Sequence, residues 1–132
     1  LVHFSRAIWY LFTPSLTDQL LSPARITTAN TDITGLHISI HACVSGLAKE
    51  GVGGDALGLE WAFFTQGAQS ILVGNWNIDV HITNTFFKGF YDKYLFKKQS
   101  LANAYRNTAL EMMQRNRSVS YWGGLCLSGD FR

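Results

Sequence analysis

Apolar and polar residues alternate along residues 36–43, and a repeat of two residues is typical of a β-strand, whose successive side chains point to opposite faces. One face would be apolar, and the other would carry His37, Ser39, His41 and Cys43. Central strands of an α/β sheet are usually apolar on both faces. The sequence offers no explanation for this polar face, for which we expect polar partners outside the chain.

Three later segments predict helices: residues 56–66, which leave little polar surface, and residues 84–98 and 101–115, whose apolar residues recur on one helical face. Side chains that can cap a helix precede each segment, and residues typical of helix ends follow the first and close the third. The predicted N-caps are Asp55, Thr83 or Asn84, and Ser100, and the predicted ends are Gly67, Lys98 and Arg115.

Further short apolar runs predict strands at residues 1–5, 70–76 and 120–128, the last with two glycines inside it. Residues 14–35, rich in Ser, Thr, Asn and Asp, predict a loop with a short helix near residues 28–33. Residues 77–82 predict a second loop. Strands that alternate with helices indicate an α/β fold with a mostly parallel sheet flanked by helices.

The length and composition of the chain limit the classes of function that it can have. A chain of 132 residues is enough for one domain with its own core. A net charge of +2, with no basic run interleaved with aromatic residues, gives no support for nucleic-acid binding. No apolar run reaches the length of a membrane span. The chain starts inside a predicted strand without methionine or a signal-peptide pattern, so we expect a fragment of a larger protein.

Cysteine content favours a reduced, cytoplasmic setting. The two cysteines, Cys43 and Cys126, are far apart, and no secretory signal accompanies them. Neither cysteine has the spacing to histidine that a zinc site requires, so no metal is expected.

Cys43 is the first candidate for chemistry because it ends a predicted strand and precedes a loop that carries four glycines within residues 46–54. A thiol there would be open to a substrate, and its own backbone N–H could stabilise an oxyanion. The alternative is a buried cysteine that behaves as a small apolar residue. The position alone leaves both open.

Residues 41–46, His-Ala-Cys-Val-Ser-Gly, resemble the caspase-type signature Gln-Ala-Cys-x-Gly. They are closer to the Ser-Ala-Cys-x-[Ser/Thr]-Gly element of CHAT domains, which are caspase-like peptidase domains often attached to tetratricopeptide repeats. The similarity continues in the family's order through five further segments, at residues 53–59, 63–71, 75–79, 86–91 and 121–130. It therefore covers nearly all of residues 1–132, which we interpret as one domain.

The resemblance implies a caspase-like fold and a cysteine endopeptidase that uses a Cys–His dyad, without metal or cofactor. Cys43 matches the nucleophile, and the backbone N–H groups of Cys43 and Ile8 would form the oxyanion site. The family's His-Phe-x-Gly-His element corresponds to residues 3–7, His-Phe-Ser-Arg-Ala. The base position is thus Ala7, which cannot accept a proton.

Three explanations for Ala7 stay open: an engineered replacement of histidine, a natural pseudoprotease, or a different histidine as base. His41 is the candidate for the last, since it lies two residues from Cys43 on the same predicted strand face, although a polar strand residue beside the thiol is the simpler interpretation.

The resemblance also implies a substrate pocket formed by Trp76 and Asp79, with His41 near it, in which Asp79 could select a basic residue. Asp79 could equally be a turn or helix-entry aspartate. The implied partners are a protein substrate and a regulatory repeat domain, such as one of the tetratricopeptide type. The alternative function is a non-catalytic interaction scaffold.

Overall fold

The computed structural model describes residues 23–28, 32–40, 55–76 and 78–130. The predicted strand at residues 1–5 and the glycine-bearing loop at residues 46–54 lie outside this part. The described elements are, in chain order, α1 (Pro23–Thr28), β1 (His37–Ser39), α2 (Asp55–Thr65), β2 (Ser70–Gly74), α3 (Val80–Tyr91), a π-helical turn (Asp92–Phe96), α4 (Leu101–Arg115), α5 (Val119–Trp122) and β3 (Leu125–Gly129).

The three described strands form one mixed sheet in the order β1-β2-β3. β1 runs parallel to β2, with His37 opposite Ser70, and β3 runs antiparallel to β2, with Leu125 opposite Gly74. Helices combined with a mixed sheet confirm the predicted α/β class. One of the two described pairings is parallel, so the mostly parallel, caspase-like arrangement stays a prediction.

Apolar side chains cover both faces of the sheet, as expected for a central strand such as β2, whose five residues are all buried. On one face, Leu72 of β2 belongs to a core built mainly from α3 and α4. On the other face, Ile71 and Val73 pack with residues that flank β1. The alternation along β2 therefore divides the interior into two clusters. The larger cluster contains Leu72, Ile78, Phe86, Phe87, Phe90, Leu101, Ala104, Met112 and Leu125.

The predicted start of α3 is wrong. Neither Thr83 nor Asn84 caps the helix; it begins at Val80, and the Asp79 carboxylate accepts hydrogen bonds from the backbone N–H groups of His81 and Ile82. An aspartate at this position satisfies donors that have no partner within the helix. The predicted loop at residues 77–82 is thus mostly the entry to α3.

The end of this helix also differs from the prediction. Regular α-helix stops at Tyr91, and a π-helical turn continues to Phe96. The turn directs Lys93 inward, where it is 4% exposed and its ammonium group lies 2.7 Å from Glu111 of α4. This ion pair fastens the turn to the neighbouring helix.

Two further boundaries correct the sequence prediction. The sequence predicts a short helix near residues 28–33, whereas the structure has α1 at Pro23–Thr28. Its start at Pro23 agrees with the preference of proline for the first helical position. Gly123 and Gly124 do not lie inside the last strand: they separate α5 from β3, which covers Leu125–Gly129.

The predicted limits of α2 and α4 are confirmed to within a residue or two. Gly67 follows α2 with φ of +92°, a left-handed conformation that favours glycine. The Ser100 hydroxyl accepts a hydrogen bond from the Asn103 N–H at the start of α4, which ends at Arg115.

Candidate functional site

Four of the predicted site residues lie outside the described part of the chain. These are Cys43, Ala7, Ile8 and His41, so their predicted roles as nucleophile, base position, oxyanion donor and substrate contact stay predictions. Trp76 and Asp79 are described, and both lie just beyond the carboxyl end of β2.

The carboxyl end of β2 meets the start of β3. The Asn75 N–H donates to the Gly124 carbonyl oxygen at 2.8 Å, which extends the ladder one step beyond Gly74 and Leu125. β1 points to the same edge of the sheet because it is parallel to β2, and the Ile40 N–H donates to the Leu72 carbonyl oxygen at 2.9 Å. In open α/β sheets, binding sites form at the carboxyl ends of parallel strands.

Gly124 allows two side chains to pack directly on the backbone at this edge. A β-carbon built on Gly124 would lie 2.5 Å from Ile78 Cδ1 and 3.4 Å from Trp76 Nε1. The first distance is far below van der Waals contact between carbons. Glycine is therefore required here for Ile78 to reach the core and for the Trp76 indole to settle against β3.

Trp76 keeps much of its surface in solvent, since 40% of the residue is exposed. Val119, at the start of α5, is 57% exposed. Val119 Cγ1 and Trp76 Cη2 both lie within 4 Å of the position of a β-carbon built on Gly123. The two exposed apolar side chains are thus neighbours. Sequence reasoning missed Val119 because the fold brings Val119 and Trp76, which are far apart in the chain, to the same glycine.

Asp79 stands at the N-terminus of α3, where its Oδ1 atom lies 2.7 Å from the His81 nitrogen and 3.4 Å from the Ile82 nitrogen. The helix dipole places partial positive charge at this end. The Asp79 carboxylate therefore caps the N-terminus of α3, as expected for a helix-entry aspartate. Its predicted selection of a basic residue stays a prediction.

A buried polar network explains the polar face of β1. His37, 6% exposed, has Nδ1 2.7 Å from the Ser70 hydroxyl oxygen and Nε2 3.0 Å from the Ser39 hydroxyl oxygen. The Tyr91 hydroxyl of α3 donates to the Ser39 hydroxyl at 2.6 Å. The expectation of partners outside the chain is thus wrong for His37 and Ser39, whose partners come from β2 and α3.

Burial controls the ionisation of this network. Desolvation lowers the pKa of His37 from 6.5 to about 4, because the charged imidazolium loses its hydration in the interior. A neutral imidazole can donate from Nδ1 to Ser70 and accept at Nε2 from Ser39. Burial likewise raises the pKa of Tyr91, so its hydroxyl stays protonated and can donate. The network holds β1 against α3 a few residues before position 43.

A second group of polar side chains lies on β3. The half-buried Cys126 has its sulfur 3.9 Å from the Ser128 hydroxyl oxygen. Burial raises the pKa of Glu60 of α2, and a hydrogen bond with Ser128 opposes that effect. Within the described ranges, no group of three or more His, Cys, Asp and Glu side chains could hold a metal ion. None of the described helices is long and apolar enough to cross a membrane.

Comparison with known proteins gives a family match over almost the whole chain. The family model of the CHAT domain matches residues 4–130. No curated protein and no solved structure matches the chain significantly. The family match extends through β1, β2, α3 and β3, which carry the edge described above. The chain therefore belongs to the CHAT domain family.

Proposed function

We propose that this domain is a caspase-like cysteine endopeptidase in which Cys43 is the nucleophile and the position of the base is occupied by Ala7. The observation that carries the proposal is the register of β1 and β2. His37 pairs with Ser70, an offset of 33 residues. We propose that the same offset continues beyond Ile40, which would bring position 43 level with Trp76 at the carboxyl end of β2.

The length of chain between Ile40 and position 43 is compatible with this location. Position 43 is three residues beyond Ile40, and three residues span at most about 11 Å. Ile40 is hydrogen-bonded to β2, with its N–H on the Leu72 carbonyl. This reach allows the proposed position of Cys43 near the edge that carries Trp76.

The proposed reaction is hydrolysis of a peptide bond in two steps. The Cys43 sulfur attacks the scissile carbonyl, the C–N bond breaks, and the leaving amine takes up a proton, which leaves a thioester. Water then hydrolyses the thioester and regenerates the thiol. The N–H groups of Cys43 and Ile8 would bind the oxyanion in both steps. Neither a metal nor a cofactor is needed for this chemistry.

Alanine at position 7 should make peptide-bond cleavage by the domain slow. Without a base, an ordinary thiol with a pKa of about 8.5 is mostly protonated at neutral pH. A general base typically contributes about 10²–10⁴-fold to the rate. Replacement of Ala7 by histidine should therefore raise cleavage by a factor in this range. We keep His41 as a candidate substrate contact rather than a replacement base.

The test compares the Ala7→His variant with the unmodified chain on a degenerate peptide library, with new peptide termini detected by mass spectrometry. Addition of Cys43→Ala should abolish the gain, whereas addition of Cys126→Ala, a matched cysteine control, should leave it. If Ala7→His stays folded and cleaves nothing, also in the presence of its regulator, the peptidase proposal is lost.

The second candidate function is a non-catalytic interaction scaffold, which Ala7 at the base position favours. In that case Ala7→His should stay inert, whereas complete protection of native Cys43 from iodoacetamide would favour a buried, purely structural cysteine. For either function, we propose two partners: a protein substrate or ligand, and a regulatory repeat domain of the tetratricopeptide type. We also propose that the protein acts in the cytoplasm.

A further inference from the structure

The longest run of exposed residues in the described part of the chain joins α4 to α5. Residues 114–120 are all exposed. Helix α4 ends at Arg115, and the backbone that follows is extended, with φ and ψ of −149° and 120° at Asn116 and of −63° and 127° at Ser118. Another protein can therefore approach this segment over its whole length.

The exposed segment carries two arginines, Arg115 and Arg117. Among the described residues, no carboxylate lies within ion-pair distance of either guanidinium group. Residues 112–129 contain no aspartate or glutamate, so the sequence around the arginines supplies no counter-charge either. Guanidinium groups bind carboxylates and phosphates through two parallel hydrogen bonds. The segment therefore presents two positive charges that suit an acidic partner.

Each arginine is followed, three residues later, by a serine. Ser118 has this spacing from Arg115, and Ser120 has it from Arg117. The two serine hydroxyl oxygens lie 2.7 Å apart, and the Ser118 hydroxyl makes no capping hydrogen bond to α5. Protein kinases that carry an acidic groove select a hydroxyl at this spacing, because the groove binds the guanidinium group. The segment therefore has the charge pattern of a substrate for such a kinase.

We infer that Ser118 is a phosphorylation site for an arginine-directed protein kinase. Ser118 is favoured over Ser120 because Ser118 lies in extended backbone, so its hydroxyl can reach the nucleotide of a kinase without the opening of a helix, whereas Ser120 lies inside α5. In the reaction, the Ser118 Oγ atom attacks the γ-phosphorus of ATP, and the bond from that phosphorus to ADP breaks. The hydroxyl proton passes to the catalytic aspartate of the kinase.

The serine that would be modified directly precedes Val119, which lies near the end of β2. Val119 Cγ1 is 3.1 Å from the position of a β-carbon built on Gly123, and the Gly123 N–H donates to the Val119 carbonyl oxygen at 2.8 Å. A phosphate on serine carries up to about two negative charges at neutral pH. Phosphorylation of Ser118 therefore offsets the charge of both arginines, which are the only charged residues in the sequence from 112 to 129.

The experiment incubates the folded protein and ATP with a calmodulin-dependent protein kinase, which is arginine-directed, and in parallel with an acid-directed casein kinase. Mass spectrometry of peptide digests gives the modified position and the rate. We expect the first kinase to modify Ser118 and the second to leave it unmodified. Arg115→Ala should slow the modification about 10–100-fold, since it removes hydrogen bonds to a charged group. Arg106→Ala, at another exposed arginine of α4, is the matched control and should leave the rate unchanged.

Three results would overturn the inference. Phosphate on Ser120 in place of Ser118 would show that extended backbone does not decide the site. Modification of the urea-unfolded chain alone would show that the fold withholds the segment from a kinase. Absence of phosphate on Ser118 in protein isolated from its own cells with phosphatase inhibitors would show that no cellular kinase uses the site. None of these results involves Cys43, so the proposed peptidase function stands or falls separately.

Discussion

Acidification from about pH 7 to about pH 5 will destabilise the fold through His37, because a buried imidazole resists taking up a proton. Its pKa is lowered by burial from 6.5 to about 4. Between these values the unfolded chain binds more protons than the folded protein, so stability falls as the pH falls. Above pH 6.5 the contribution of His37 to stability is fully present.

The magnitude follows from the two pKa values. Each unit of pKa difference corresponds to about 1.4 kcal/mol, so the full loss, reached below the folded-state pKa, is about 3 kcal/mol. At about pH 5 the loss amounts to about 2 kcal/mol. With an m-value of about 2 kcal/mol/M, this loss lowers the urea midpoint by about 1 M.

The assay is urea unfolding, followed by circular dichroism, of the unmodified chain and of His37→Gln at about pH 5, pH 6 and pH 7. Glutamine can still donate and accept a hydrogen bond but does not titrate in this range. We expect the stability difference between the two proteins to change by about 2 kcal/mol across this range, since other titrating groups are common to both. If the free energy of unfolding changed with pH by the same amount in His37→Gln and in the unmodified chain, the reasoning would be refuted.

Substitutions at three further positions test the site edge and the helical layer by thermal unfolding. Gly124→Ala should cost about 1–3 kcal/mol, because its β-carbon would lie 2.5 Å from Ile78 Cδ1. Asp79→Ala should cost about 1 kcal/mol through loss of the α3 cap, whereas Asp79→Asn, which keeps an acceptor, should cost less. Glu111→Gln should cost about 1–2 kcal/mol, because the buried ammonium of Lys93 loses its counter-charge.

Asp92→Asn is the control for Glu111→Gln. It removes the carboxylate of an exposed ion pair with Lys97, and it should lower the free energy of unfolding by less than about 0.5 kcal/mol. An equal loss for Asp92→Asn and Glu111→Gln would argue against the role assigned to Lys93. An unchanged unfolding temperature for Gly124→Ala, or for Asp79→Ala, would show that the close approach or the cap contributes nothing measurable.

Local signals in the sequence are sufficient where the structure depends on local contacts. The start of α4 follows from Ser100, whose hydroxyl accepts the N–H of a residue three positions later. The start of α3 has an equivalent signal in Asp79, but the family resemblance assigns that residue to the substrate pocket, and the sequence pattern suggests a loop over residues 77–82. Two interpretations compete for one aspartate, although the capping residue is present in the sequence.

Long-range contacts could not be predicted in this way. The polar face of β1 depends on Ser70, 33 residues from His37, and on Tyr91, 52 residues from Ser39. Val119 and Trp76 both approach Gly123 only because α5 precedes β3 and Gly123 leaves room for both. No local pattern encodes such pairs. The family resemblance identified the chain, whereas these details required the packing of helices on the sheet.

The position of β2 between β1 and β3 has a consequence for the order of folding. Both partners of β2 are distant in sequence, since Ser70 pairs with His37 on one side and Gly129 on the other. The helical layer closes over a shorter loop, for example through Lys93 and Glu111, 18 residues apart. Short loops cost less entropy to close, and local contacts form faster. We therefore expect α3 and α4 to dock early during refolding, and the sheet edge that carries Trp76 to be completed last.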